Sequence, residues 1–137
     1  MIKVLLADDH GIVRDALRYL LEAQGDIQII ATAADGQEAV ELAQHYCPDI
    51  VVMDISMPRM DGIEATRQIC GLCPNTRVVM LTIYNTTEHI QHALQAGASG
   101  YVLKEAAGQE LVAAIHALYN GGHYYSSRID TRHTHRR

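Results

Sequence analysis

Residues 50–54, Ile50-Val51-Val52-Met53-Asp54, place four apolar side chains in an unbroken run and close it with a carboxylate. A strand with one wet face alternates apolar and polar residues. A run that is apolar throughout needs cover on both faces, the condition of a strand in a parallel sheet with helices on either side. Similar strand-length, mostly Val, Ile and Leu runs stand at 2–7, 27–33, 78–81 and 100–103, alongside the core of this one at 50–53. Stretches of helical period separate them, and five repeats of strand then helix predict an α/β fold built on one doubly wound, five-stranded parallel sheet.

The intervening segments carry apolar residues three and four apart: Val13, Leu17, Leu20 and Leu21; Ala39, Leu42, Ala43 and Tyr46; Leu111, Ala114, Ile115 and Leu118. Each set makes one buried stripe. Asp35 precedes Glu38 by three, Asp61 precedes Glu64 by three, and Thr86 or Thr87 opens the stretch toward Ala96, all patterns of helix N-termini. Gly25, Pro48, Pro74, Gly97 and Gly121-Gly122 stand where helices end and the chain turns back. Beyond Gly122 the pattern fades into a polar tail.

The chain has 137 residues. Since a domain takes roughly 100–200 residues, one compact unit is expected and a two-domain enzyme is not. The net charge of −5 argues against a nucleic-acid groove spread over the body. Charge is uneven: from Ser126 onward there are four arginines and one aspartate, leaving residues 1–125 with seven basic and fifteen acidic side chains. Three cysteines fit a reducing compartment. With neither a signal-peptide pattern nor a run of ~20 apolar residues, the expectation is a soluble cytoplasmic protein.

The informative polar residues lie where strands give way to loops: Asp8 and Asp9 after the first, Asp54 after the third, Thr82 after the fourth, Lys104 after the fifth. In an open parallel sheet these points share one edge, where ligands bind. Two carboxylates ~4 Å apart repel by about 4 kcal/mol at an effective dielectric near 20, so the cluster needs a positive partner. A hard divalent cation suits all-oxygen ligands, and Mg²⁺ is favoured because it keeps several waters and bridges to phosphate oxygens. An ion, a lysine and a hydroxyl around an ionised carboxylate suit phosphoryl transfer, with Asp54 as the acceptor.

Asp8-Asp9, then Asp54 with Met57-Pro58 and Asp61-Gly62 after it, Thr82, and Gly97-Ala98-Ser99-Gly100-Tyr101-Val102-Leu103-Lys104 together resemble a bacterial response-regulator receiver domain over about residues 1–125. With Glu105 following the lysine, the last run resembles the NarL/FixJ subfamily, whose members carry a C-terminal LuxR-type helix-turn-helix. The resemblance implies a flavodoxin-like (βα)5 fold with strand order 2-1-3-4-5. It implies that Asp54 receives a phosphoryl group from the phosphohistidine of a sensor histidine kinase. Asp9 and Asp54 are then direct Mg²⁺ ligands, Asp8 acts largely through water, and the Ser56 backbone carbonyl completes the protein ligands. Lys104 and Thr82 contact phosphoryl oxygens, and Tyr101 turns inward as Thr82 moves. That repacks the surface of the fourth helix, fifth strand and fifth helix for homodimerisation or output. The resemblance also marks Ser56 and Tyr84, two residues after Asp54 and Thr82, as rate-modulating; Ile83, bulkier than the alanine common in related receivers, is expected to narrow access of water.

The implied function is a phosphorylation-controlled switch, not an enzyme with its own metabolite. It controls transcription through a DNA-binding domain absent from residues 1–137, or signals as a stand-alone receiver by protein contact. The tail, 126–137, reads as a linker remnant or a cloning-derived addition. A Mg²⁺-dependent phosphohydrolase using an aspartyl nucleophile is the first competing class, but this length leaves little room for a substrate cap. A flavin carrier of similar topology needs a hydroxyl- and glycine-rich cradle where Asp8-Asp9-His10 stands. Cys70-Gly71-Leu72-Cys73 has the spacing of a redox pair or half a zinc site, yet it closes a predicted helix whose dipole disfavours a thiolate. Cys47 reads as buried filler, His89 and His92 as exposed polar residues, and His10 as a neutral surface residue bordering the carboxylates.

Overall fold

The computed structural model describes residues 1–126. Six strands, β1 (Ile2–Ala7), β2 (Ile27–Ala33), β3 (Ile50–Asp54), β4 (Arg77–Thr82), β5 (Gly100–Leu103) and β6 (Tyr124–Tyr125), form one parallel sheet in the order β2-β1-β3-β4-β5-β6. Helices α1 (Gly11–Glu22), α2 (Gly36–Tyr46), α3 (Gly62–Leu72), α4 (Thr87–Ala96) and α5 (Ala107–Tyr119) connect them, with a 3₁₀ turn over Lys104–Ala106 before the last.

Each strand feeds two cores because successive side chains point to opposite faces. Val4, Leu6, Ile50, Val52, Val79, Leu81 and Val102 pack with Leu17 and Leu21 of α1 and with Leu111, Ala114, Ile115 and Leu118 of α5. Leu5, Val51, Met53, Val78, Met80 and Tyr101 pack on the other face against α2, α3 and α4 through Ala39, Ala43, Ala65, Ile69, Ile90 and Ala93. A fully buried Val, Leu or Ile contributes roughly 1.5–3 kcal/mol, so the two layers outweigh any single polar contact in holding the sheet.

The expected caps form. Asp35 accepts the Glu38 N–H at 2.8 Å while the Glu38 carboxylate accepts the Ala34 N–H at 2.8 Å, so two carboxylates satisfy backbone donors at the start of α2. Asp61 accepts from Glu64 N at 2.9 Å, and Thr86 from His89 N at 3.3 Å. No described helix is long and apolar enough to cross a membrane.

The fold departs from the sequence reading in three places. The sheet has a sixth strand: the open edge of β5 is satisfied by Tyr124 and Ser126, whose N–H groups donate to Ser99 and Tyr101 carbonyls at 3.3 and 2.9 Å. Two residues are too short to register as a period. Ser126, assigned to the tail, is buried and ties the sheet to α5: its hydroxyl donates to Glu110 at 2.7 Å and accepts the Leu103 N–H at 3.0 Å. The rest of the tail lies outside the described residues. Cys47 is exposed rather than buried filler, holding the left-handed φ of 47° that ends α2 before Pro48, and Tyr46 of the predicted α2 stripe is half out in solvent.

Candidate functional site

The register that pairs Ala7 with Met53, Asp54 with Leu81 and Thr82 with Leu103 brings the carboxyl ends of β1, β3, β4 and β5 level. Asp8, Asp9, Asp54, Thr82 and Lys104 therefore meet at one edge. One ligand atom from each of Asp8, Asp9, His10 and Asp54 lies within 4.8 Å of the others. Asp8 and Asp54 are almost fully buried; Asp9 and His10 form the open side.

Lys104 supplies the counter-charge. Its Nζ lies 3.2 Å from Asp54 Oδ2 and 3.3 Å from Asp8 Oδ2. The second contact is an ion pair without hydrogen-bond alignment, so Asp8 Oδ2 remains a buried carboxylate oxygen with no donor. Burial, and then the neighbouring Asp8 charge, push the Asp54 carboxyl above the usual aspartate value, against the pull of Lys104. Burial pulls Lys104 down, but Asp54 and Asp8 together outweigh it and its ammonium is held above the ordinary lysine value.

His10, read from sequence as a neutral bystander, belongs to the cluster. Its backbone N–H donates to Asp8 Oδ1 at 2.9 Å, and its Nδ1 lies 3.1 Å from Asp8 Oδ1 and 3.0 Å from Asp9 Oδ1.

The β3–α3 loop is clamped beside Asp54. Ser56 N–H points at Asp54 Oδ1 from 3.4 Å, Gly62 N–H donates to the Ile55 carbonyl at 2.7 Å, and Gly36 N–H donates to the Met60 carbonyl at 3.0 Å. A Cβ at Gly62 would sit 1.9 Å from the Asp54 carbonyl oxygen, so only glycine allows α3 to start this close to the site. Arg59, at a left-handed φ of 66°, reaches Asp35 through Nε at 3.0 Å and through a second, shorter contact. The backbone N–H of Glu38, and then the Arg59 guanidinium, hold the Asp35 carboxyl below its usual value. Sequence gave no signal for this pair, since Arg59 reads as an ordinary surface residue.

Thr82, Tyr84 and Tyr101 form one unit. Thr82 Oγ1 accepts the Tyr84 N–H at 3.0 Å, and Tyr101, expected to turn inward only as Thr82 moves, is already fully buried here and donates its hydroxyl to the Tyr84 carbonyl at 2.9 Å. Burial pushes the Tyr101 phenol up to about 12, with Thr82 pulling the other way. Ser56 Oγ meets the Tyr84 hydroxyl at 3.1 Å. Ile83 is 72% exposed, so the contact across the loop mouth belongs to Tyr84 rather than to Ile83.

His89, read as an exposed polar residue, is half-buried: its ring stacks on Tyr84 and its Nδ1 meets Thr86 Oγ1 at 2.7 Å. Cys70 and Cys73 are free thiols that donate to the carbonyls of Gly97 and Ala43 at 3.5 and 3.7 Å. Burial pushes both up, away from the thiolate that redox or zinc chemistry needs.

A parallel sheet of this order, with buried aspartates, a threonine and a lysine at its carboxyl edge, has the architecture of a receiver domain. Residues 4–116 match the model of the response regulator receiver domain, and the chain belongs to that family. It is 42% identical over 120 residues to the transcriptional regulatory protein YxjL of Bacillus subtilis, covering 88% of this chain and 55% of that protein. It is 39% identical over 130 residues to the oxygen regulatory protein NreC of Staphylococcus aureus, covering 94% of this chain and 60% of that one. The chain thus spans 55–60% of the length of these relatives. Among solved structures, a LuxR-family two-component response regulator from Aurantimonas superposes with a TM-score of 0.89 at 41% identity, covering 93% of this chain and 91% of that one. These likenesses place the chain in the NarL/FixJ branch of response regulators.

Proposed function

We propose that Asp54 accepts a phosphoryl group from the phosphohistidine of a sensor histidine kinase, and that the acyl phosphate so formed switches an output surface. The observation that carries this reading is a buried carboxylate with a lysine 3.2 Å away and two further aspartates beside it. An Asp54 oxygen forms the new bond to phosphorus, the P–N bond breaks, and its electron pair returns to the imidazole of the kinase. Nothing in that step asks the protein to turn over a metabolite, so the chain serves as a switch rather than as an enzyme.

The donor set fits a hard divalent cation: Asp9 and Asp54 with the Ser56 backbone carbonyl as direct ligands, Asp8 acting largely through water. The undonated Asp8 Oδ2 and the three carboxylates, which outnumber the one ring nitrogen of His10 in the cluster, favour a hard cation such as Mg²⁺. Bound there, Mg²⁺ supplies charge neutralisation to the phosphoryl oxygens. The Lys104 ammonium, already against Asp54 and Asp8, would add a second positive charge, and the family's role for it requires it to turn from Asp54 Oδ2 to a phosphoryl oxygen.

Thr82 can keep accepting from Tyr84 while donating its own proton to the phosphoryl group, because a hydroxyl both donates and accepts. A pull on Thr82 therefore acts on the Tyr84 main chain and on the Tyr101 hydroxyl bonded to it. Moving a balance from 1:99 to 99:1 takes about 5.5 kcal/mol. Hydrogen bonds to charged groups contribute roughly 1.5–3 kcal/mol each, so Thr82 and Lys104 must both engage to reach that order.

Output through a homodimer formed on phosphorylation, and control of transcription through a DNA-binding helix-turn-helix in a longer protein, draw support from relatives named as transcriptional and oxygen regulators. Incubation with a small acyl phosphate and Mg²⁺, followed by intact-mass measurement, tests the reading. The expected result is the gain of one phosphoryl group, abolished by a chelator; no gain in the presence of Mg²⁺ overturns it.

A further inference from the structure

Tyr84 is held at four points. Its N–H donates to Thr82 at 3.0 Å and its carbonyl accepts from Tyr101 at 2.9 Å, so its main chain is tied to both switch residues. Its hydroxyl meets Ser56 Oγ at 3.1 Å, and its ring lies 4.1 Å from that of His89, only 3° from parallel. His89, in the first turn of α4, is itself fixed: its Nδ1 lies 2.7 Å from the Thr86 hydroxyl, which also accepts its backbone N–H at 3.3 Å. At the other end, Ser56 N–H is 3.4 Å from Asp54 Oδ1. The contacts run without a gap from the start of α4, through His89, Tyr84 and Ser56, to the acceptor carboxylate.

We propose that His89 is a positioning residue: by stacking on Tyr84 it holds the tyrosine hydroxyl on Ser56, a strap across the mouth between the β3–α3 and β4–α4 loops that slows hydrolysis of the phosphoryl group on Asp54. The inference rests on the phosphoacceptor reading and deepens it. In the step the strap opposes, a water oxygen bonds to phosphorus and the P–O bond to Asp54 breaks. The carboxylate is restored, and both water protons leave with the product as dihydrogen phosphate. An unsupported tyrosine at a loop mouth swings freely about its first side-chain torsion. A second flat ring against its face removes that freedom and leaves the hydroxyl aimed at Ser56. Because the supporting ring is carried by α4, a partner that shifts the start of α4 also loosens the strap.

The test is a decay measurement. The protein is phosphorylated with an acyl phosphate and Mg²⁺, the donor is removed, and the phosphorylated fraction is followed by intact mass. His89→Ala is expected to shorten the half-life by about two- to tenfold, the worth of one aromatic pair expressed as a rate ratio. His89→Phe keeps a ring in place and is expected to restore the half-life to within about twofold of wild type. Tyr84→Phe keeps the stack but loses the hydroxyl. It should also speed the decay, and adding His89→Ala to it should then change little, since the stack has no hydroxyl left to aim. A wild-type half-life in His89→Ala overturns the strap, as does His89→Phe decaying as fast as His89→Ala. If wild type never takes up phosphate, the phosphoacceptor reading fails and the strap with it. If it does and all variants decay alike, only the strap fails.

Discussion

The ammonium of Lys104 lies 3.2 Å from Oδ2 of Asp54, although 50 residues separate the two in sequence. The same ammonium stands 3.3 Å from Asp8, so one lysine balances two buried carboxylates that would otherwise repel each other. That balance makes the site a source of instability as well as of chemistry.

Replacing the lysine exposes that cost. Lys104→Met should destabilise the fold at neutral pH by roughly 1–3 kcal/mol, below the range for fully buried pairs because the lysine keeps partial access to water. Urea unfolding measures it. A variant as stable as wild type would mean that solvent, not Lys104, screens the two aspartates.

The raised Asp54 carboxyl makes stability depend on pH. The folded group binds its proton more tightly than the unfolded one, whose ordinary value is 3.8. It therefore favours folding in acid, and that contribution is lost as pH rises through the folded value. Asp54→Asn should be more stable than wild type at neutral pH, by an amount that shrinks as pH falls toward 3.8. A stability difference independent of pH would contradict this, as would a carboxyl ¹³C titration of Asp54 with its midpoint at or below the ordinary value.

Two glycines of α3 should respond in opposite directions. Gly62→Ala drives a Cβ to 1.9 Å from the Asp54 carbonyl oxygen, which must move. A loss of roughly 2–4 kcal/mol is expected, together with weakened phosphate uptake. Gly71→Ala meets nothing within 4 Å and should stabilise the helix by about 0.5–1 kcal/mol. Thermal melts of the two variants check both signs.

Replacing Thr82 is expected to separate acceptance of the phosphoryl group from the response to it. Thr82→Ala removes the acceptor for the Tyr84 N–H and the donor proposed for the phosphoryl oxygen, but no atom of the carboxylate cluster. It should still take up phosphate on Asp54 while losing most of the phosphorylation-dependent change in oligomeric state, read by light scattering. Full dimerisation of the phosphorylated variant would overturn this division of roles.

Much of the fold was legible because burial on both faces leaves a mark in sequence: largely apolar runs, broken only by Lys3 in β1 and by Gln28 and Thr32 in β2, mark β1 to β5 within a residue or two, and Asp35, Asp61 and Thr86 cap helices as their spacing suggests. The edge cluster was legible because parallel strands of matched register must deliver their ends to one place. Other features left no such mark. β6 is two residues long, shorter than any period. Arg59 with Asp35 and Tyr84 with His89 are joined by loop geometry, to which apolar periodicity is blind. His10 looks like a surface residue until the strand end turns its Nδ1 onto two carboxylates.

The chemical location of the phosphoryl group decides whether Asp54 is its acceptor. The protein, treated with an acyl phosphate and Mg²⁺ and then with borohydride, is digested and sequenced by mass spectrometry. Homoserine is expected at position 54, formed by reduction of the aspartyl phosphate, and none there in Asp54→Asn. Reduction at another carboxylate, or no reduced residue in a protein that has gained phosphate, would contradict it.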